Sequence, residues 1–201
     1  MSSPLARCYD DMDMEEKLRR FLAQRPKKSI TGTERIPSAV LVPIYYKGGQ
    51  CHILFTRRTD NVKEHKGQIS FPGGAQQNGE SLLDTALRES REEIGLDPAD
   101  VEILGELDDT LTFVSNYVVT PFVGIIPWPN SLKVDGWEAE EIIETPIAAL
   151  LDEGSCEYKK EVISGKPVTS FFYHYNGDVI WGATARILHQ FLELFRQAVK
   201  S

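Results

Sequence analysis

Cysteine is scarce in this chain, with Cys8, Cys51 and Cys156 the only three among 201 residues. Odd in number and widely spaced, they form neither a metal-binding pattern nor a disulfide framework, which suits a reducing interior. Long apolar runs are also missing. No stretch approaches the ~18 residues needed to cross a bilayer. The opening MSSPLARCYDDMDMEE is acidic and has no apolar run of the kind a secretory signal carries. The expectation is therefore a cytoplasmic protein with no membrane partner. Positive charge is in deficit: 22 Lys and Arg against 30 Asp and Glu leave a net charge of -8. That excludes nucleic acid as a general partner, but a polyanionic small molecule remains admissible where a site supplies cations locally. Internal repeats and low-complexity linkers are absent.

What is present suffices for one packed domain, since 41% of the residues are hydrophobic. We expect an N-terminal helical extension over residues 1–30 and the main domain over 31–201. The run from Asp13 reads as a short amphipathic helix with Leu18, Phe21 and Leu22 inward, ended by Pro26. SAVLVPIYY (38–46) is a strand buried on both faces, turning at Lys47–Gln50 into CHILFTR (51–57). Pro43 inside that strand predicts a bulge or a missing ladder bond. Further strands are expected near 68–71, 101–107, 117–126, 138–144, 157–163 and 169–175. Asn176-Gly177 turns the last of these into Val179–Trp181, and a short helix begins at Pro146. The final segment is an amphipathic helix with Ile187, Leu188, Phe191, Leu192 and Phe195 inward. Strands and helices intermixed in this way give an α/β chain with a mixed β-sheet covered by helices on both faces.

The informative stretch is GAQQNGESLLDTALRESREEIGL, residues 74–96. A glycine turn, Phe71-Pro72-Gly73-Gly74, precedes it, and what lies between Gly74 and Gly95 reads as one helix. Ser81 and Asp84 have capping-box spacing, and Gly95 stands where a left-handed C-cap belongs. Leu83, Ala86, Leu87, Ser90 and Ile94 share an apolar face, while Glu89, Glu92 and Glu93 share a different one at i, i+3 and i+4. Acids so placed repel by a few tenths of a kcal/mol per pair. A hard divalent cation bound between them would offset that cost, because such ions take oxygen ligands.

In order, the residues are Gly74, five others, Glu80, seven others, Arg88-Glu89, two others, Glu92-Glu93, one other, Gly95-Leu96. This resembles the Nudix box, the signature of hydrolases acting on nucleoside diphosphates linked to another group. Ser90 departs from it, standing where an aliphatic residue is usual. The resemblance implies an α/β/α sandwich, a Mg2+ or Mn2+ cofactor held by Glu89, Glu92 and Glu93 with the Gly73 backbone close by, and homodimerisation. It implies that Arg88 orients a box glutamate by an ion pair, with Glu80 and Gly74 in supporting positions. The proton of the attacking water falls to Glu92 or Glu93, or to an acid supplied from Glu138, Glu140 and Glu141, among which Glu138 is favoured and then Glu141.

Upstream, LFTRRTDNVKEHKGQISFPGG (54–74) resembles the additional signature of Nudix coenzyme A pyrophosphatases through Thr56, Arg58, Lys63, His65, Gly67 and Phe71–Gly74. Lys63 replaces the more usual arginine and keeps a point charge without the bidentate fork. WGATARIL (181–188) adds to the likeness. The resemblance implies hydrolysis of coenzyme A or its derivatives to 4'-phosphopantetheine and adenosine 3',5'-bisphosphate. Coenzyme A carries a 3'-phosphate besides its diphosphate, and the cluster of Arg58, Lys63, His65 and Lys66 beside the acidic site is the expected grip for that extra anion. Another nucleoside diphosphate derivative (a dinucleotide, an ADP-sugar or a dNTP) is the alternative substrate. A non-catalytic Nudix-fold nucleotide-binding regulator is the alternative of another class, but it would be expected to have lost box acids that this chain retains.

Overall fold

The computed structural model describes residues 11–59, 67–128, 132–163 and 165–200. Helix α1 (Asp11–Gln24) leads through a connector to the long strand β1 (Ile36–Lys47), which turns at Gly48-Gly49 into β2 (Gln50–Arg58). Two short strands, β3 (Ile69–Ser70) and β4 (Gly73–Ala75), precede helix α2 (Leu82–Ile94). Then come β5 (Glu102–Glu106), β6 (Thr110–Leu111), β7 (Tyr117–Ile125), β8 (Ala139–Pro146) and the short helix α3 (Ile147–Leu151). A meander of β9 (Cys156–Ile163), β10 (Lys166–Tyr175) and β11 (Asp178–Ile180) leads to the C-terminal helix α4 (Gly182–Lys200). Asn176 and Gly177 make the β10–β11 turn, both at positive φ (50° and 88°), as the dipeptide predicts.

The main sheet runs β3-β2-β1-β7-β5, with β4 added on β1, β6 on β7 and β8 on β2. β1 and β7 are parallel over nine residue pairs, Ile36–Tyr117 to Ile44–Ile125, and the other pairings are antiparallel, so the sheet is mixed. Alternation along β1 feeds two cores. Ala39, Leu41 and Tyr45 pack with Ala86 and Ile94 of α2. Val42 and Ile44 belong to the opposite cluster, with Leu18 and Leu22 of α1 and Leu188, Phe191 and Leu192 of α4. Each valine, leucine, isoleucine or phenylalanine among them contributes about 1.5–3 kcal/mol by leaving water. The result is an α/β/α sandwich.

Pro43 falls between two pairings on the same side of β1. Ser38–Val40 pair with β4, whereas Ile44–Lys47 pair with β2. The absent N–H thus sits where the ladder changes partner, and no bulge is needed there.

The helix is shorter than the sequence pattern suggests. Residues 73–75 are strand, because β4 extends the sheet on β1, and the turn at 76–81 separates them from α2. Ser81 is the true N-cap, its hydroxyl oxygen accepting from the Asp84 N–H at 3.1 Å and donating to the Asp84 carboxylate at 2.6 Å. At the other end Gly95 is left-handed (φ 69°) and its N–H bonds to the Arg91 carbonyl. Replacing Ser81 with alanine is expected to cost about 1 kcal/mol and to lower the melting temperature by roughly 2–4 °C in a domain of this size. Differential scanning calorimetry would check it.

Candidate active site

Pairing of β4 with β1 carries Gly73 and Gly74 under the side of α2. A Cβ on Gly73 (φ 154°) would lie 2.2 Å from the Ala39 carbonyl oxygen, and one on Gly74 would lie 2.5 Å from Cδ of Glu89. Both glycines are therefore required by close approach, one to the neighbouring strand and one to a box acid.

The three box acids do not share one environment. Glu93 is 2% exposed and sits in the buried wedge of the helix with Ala86, Ser90 and Ile94, whereas Leu83 and Leu87 are only half-buried. The expected division into an apolar face and an acid face fails here because Glu93 turns under the helix toward β4. The Gly73 N–H donates to its carboxylate, while Oε2 has no hydrogen-bond partner among the described residues. Burial pushes the Glu93 pKa up to about 8, only partly countered by the Arg58 charge. Glu89 is likewise pushed upward, by burial first, although Arg88 donates to it at 2.7 Å. Glu92, with 59% of its side chain exposed, receives Arg88 at 3.0 Å.

Arg88 is the organising cation. Its guanidinium reaches both oxygens of Glu80 (2.8 and 3.2 Å) as well as Glu89, Glu92 and the Ala75 carbonyl. The hydrogen bonds from Arg88, with another from the Thr85 hydroxyl, pull the Glu80 pKa down to about 2. The anticipated ion pair to a box glutamate thus exists and is threefold.

Glu138 reaches the same place from the bend just before β8. The N–H of Asp135 donates to the Glu93 carbonyl at 2.9 Å, tying this segment to the end of α2. The Asp135 carboxylate in turn accepts from the backbone N–H groups of Trp137, Glu138 and Ala139. The Glu138 carboxylate then lies 3.9 Å from Arg58, whose own Nε is buried without a partner among the described residues. Glu141 takes another path, pairing with Arg57, which also holds Asp178 of β11. It does not line the cleft described next. Lys63, His65 and Lys66 lie outside the described residues.

Arg58, Gly73, Gly74, Glu89 and Glu138 line one cleft of about 920 Å³. Its other walls were not anticipated as site residues: Phe113 before β7 and Tyr117 at its start, Phe172 of β10, and Trp181 and Arg186 at the start of α4. Trp181 and Arg186 fall in the WGATARIL stretch noted above, whereas Phe113, Tyr117 and Phe172 belong to no motif, and the fold brings the two groups together.

The donor set is all oxygen, and one buried carboxylate oxygen is orphaned, which fits a hard divalent cation. As they stand, Glu89 and Glu92 are engaged by Arg88, and no three His, Cys, Asp or Glu side chains among the described residues converge as a ready cation site.

Comparison with known proteins bears on the family and the fold. The NUDIX domain family matches residues 35–162. The uncharacterized Nudix hydrolase NudL of Photorhabdus laumondii is 36% identical over 182 residues, covering 89% of this chain and 96% of that protein. Its counterpart in Pectobacterium atrosepticum is 35% identical, covering 88% and 92%. Among solved structures, a MutT/nudix family protein from Enterococcus faecalis superposes with a TM-score of 0.58 at 16% identity, covering 100% of this chain and 76% of that one. The MutT protein of Methanosarcina mazei superposes at 0.51 with 18% identity, covering 88% and 97%. At those identities the structural likeness speaks for the fold.

Proposed function

Since this chain belongs to the Nudix hydrolase family, we propose that the diphosphate it cleaves is that of coenzyme A or a coenzyme A derivative, giving 4'-phosphopantetheine and adenosine 3',5'-bisphosphate. The observation that carries this reading is Arg58. It is the arginine of the upstream signature, it lines the cleft that holds Glu89 and Gly74, and it keeps a buried Nε–H with no acceptor among the described residues. A phosphate oxygen would supply that acceptor.

In this reading Glu89, Glu92 and Glu93 hold Mg2+ or Mn2+, with Glu138 beside them. The cation, when bound, neutralises diphosphate charge and lowers the pKa of a coordinated water. Arg88 would hold Glu89 and Glu92 in position, and Glu80 anchors Arg88. The Gly73 N–H aims the Glu93 carboxylate, and the bare backbone of Gly73 and Gly74 admits the substrate. Glu138, on the cleft wall, is the general base that receives the proton of water. The aromatic walls suit the organic arms on either side of a diphosphate.

Assays with Mg2+ and Mn2+ over coenzyme A, acyl-coenzyme A, ADP-ribose, a diadenosine polyphosphate and dNTPs test the proposal. Coenzyme A or its acyl ester is expected to give the highest kcat/KM, with the two named products found by mass spectrometry. Coenzyme A as the poorest substrate would overturn the substrate assignment.

A further inference from the structure

We propose that Arg186 forms a second anion subsite in this cleft, receiving a phosphate monoester on the nucleotide half of the substrate and not the diphosphate under attack. The proposal rests on the coenzyme A reading, in which that group is the 3'-phosphate.

Arg186 lies in the second turn of α4 and is half-buried on the cleft wall. Its guanidinium is stacked over the Phe113 ring, with Cζ 4.5 Å from the centroid, and one N–H donates to the Leu111 carbonyl. No carboxylate among the described residues pairs with it, and burial alone draws its pKa down. Nearby arginines are better supplied: Arg88 faces three acids and Arg57 two, and Arg58, on the same cleft, lies 3.9 Å from the Glu138 carboxylate. A partly desolvated cation without an anion is costly to keep, and an anionic ligand would remove that cost.

The chemistry selects a phosphate. Guanidinium presents a planar fork of donors that matches phosphate oxygens in pairs, and stacking on an aromatic ring fixes the plane of the fork before the ligand arrives. Gly182, Ala183 and Thr184, the first turn of the same 19-residue helix, line the same wall, and that turn contains no acidic side chain. Arg186 contacts Leu111 and Phe113, whereas Glu89 lies against Gly74 and the Gly73 N–H bonds to Glu93. In this proposal the ligand carries one anionic group for each set of contacts.

The test is a cycle of two enzymes and two substrates, coenzyme A and 3'-dephospho-coenzyme A. Arg186→Met keeps an unbranched stem against Phe113, and a thermal melt verifies folding. Arg186→Met is expected to raise the KM for coenzyme A ~10-fold or more, the loss of a charge-assisted phosphate contact. kcat should stay within about two-fold, and the kinetics of the dephospho compound should not change. Equal losses on both substrates, or none on either, would overturn the subsite while leaving the coenzyme A reading intact. If neither compound is hydrolysed by the wild type, the coenzyme A reading fails by itself. Calorimetry with adenosine 3',5'-bisphosphate against adenosine 5'-phosphate then decides the subsite: a preference for the bisphosphate lost in Arg186→Met supports it, and no preference in the wild type overturns it.

Discussion

Glu93→Gln is expected to lower turnover by ~10³-fold or more and at the same time to make the metal-free protein more stable at pH 8. The first effect follows if this carboxylate holds the catalytic cation, whose electrostatic contribution is worth several kcal/mol of transition-state stabilisation. The second follows from burial. With one oxygen bonded to Gly73 and the other orphaned, the Glu93 pKa rises from 4.5 to about 8. A carboxyl whose folded pKa exceeds its unfolded one contributes stability in full below pH 4.5, and loses it as pH rises toward 8. By pH 8 the metal-free wild type should have lost on the order of a few kcal/mol that the glutamine variant keeps. Melting temperatures recorded in chelator from pH 5 to 9 should therefore fall for the wild type and stay nearly level for Glu93→Gln. Adding Mn2+ should then raise the wild type more, since a ligand bound only by the folded state stabilises it by mass action. A variant less stable than wild type at pH 8, or equally responsive to Mn2+, would contradict the account of Glu93 as a buried, uncompensated ligand.

Much of this site was legible because its parts are local. Ser81, Gly95 and the spacing from Gly74 to Leu96 act within a few turns of one helix, and their signals survive without tertiary context. The strand 38–46 declared itself double-faced because both alternating sets are apolar, and two cores indeed meet there. What sequence spacing could not show was how far under the helix the acid stripe reaches. That depends on β4 sliding beneath α2, a pairing of Ser38–Val40 with Gly73–Ala75 across some 35 residues of chain, and it separates buried Glu93 from exposed Glu92. The sequence ranks Glu138 ahead of Glu141 without showing where either carboxylate goes. Asp135, bonded to the end of α2, delivers the first to the cleft, whereas Arg57 takes the second. Phe113 and Phe172 had no local signal, and the WGATARIL stretch that contains Arg186 gave no sign that it would meet them, since three distant segments bring these side chains together.

The two adjacent glycines give the sharpest separation of stability from catalysis. Gly73→Ala is expected to cost at least ~3 kcal/mol, a large share of a typical domain's stability. Its methyl would lie 2.2 Å from a carbonyl oxygen and 2.6 Å from the Val40 Cα, both backbone atoms of a central strand, at a φ of 154° that side chains rarely adopt. β4 would have to leave β1. The three atoms nearest to a Gly74→Ala methyl all belong to the Glu89 carboxylate, at 2.5–2.7 Å, and no left-handed φ is required at that position. Glu89 can yield by turning, but its partner Arg88 is bound at the same time to Glu80 and Glu92, so the acid moves out of register with the others. Displacing a catalytic group by about 1 Å costs on the order of 10²-fold in rate. The Gly74→Ala enzyme should therefore melt within a few degrees of wild type and yet lose ~10²-fold in kcat, with its Mn2+ requirement shifted to higher concentration. The Gly73→Ala protein should be recovered poorly or melt far lower. Calorimetry and metal titrations of activity on the pair would distinguish these outcomes. A fully active Gly74→Ala enzyme would mean that the Glu89 carboxylate does not need the place that the bare glycine leaves for it.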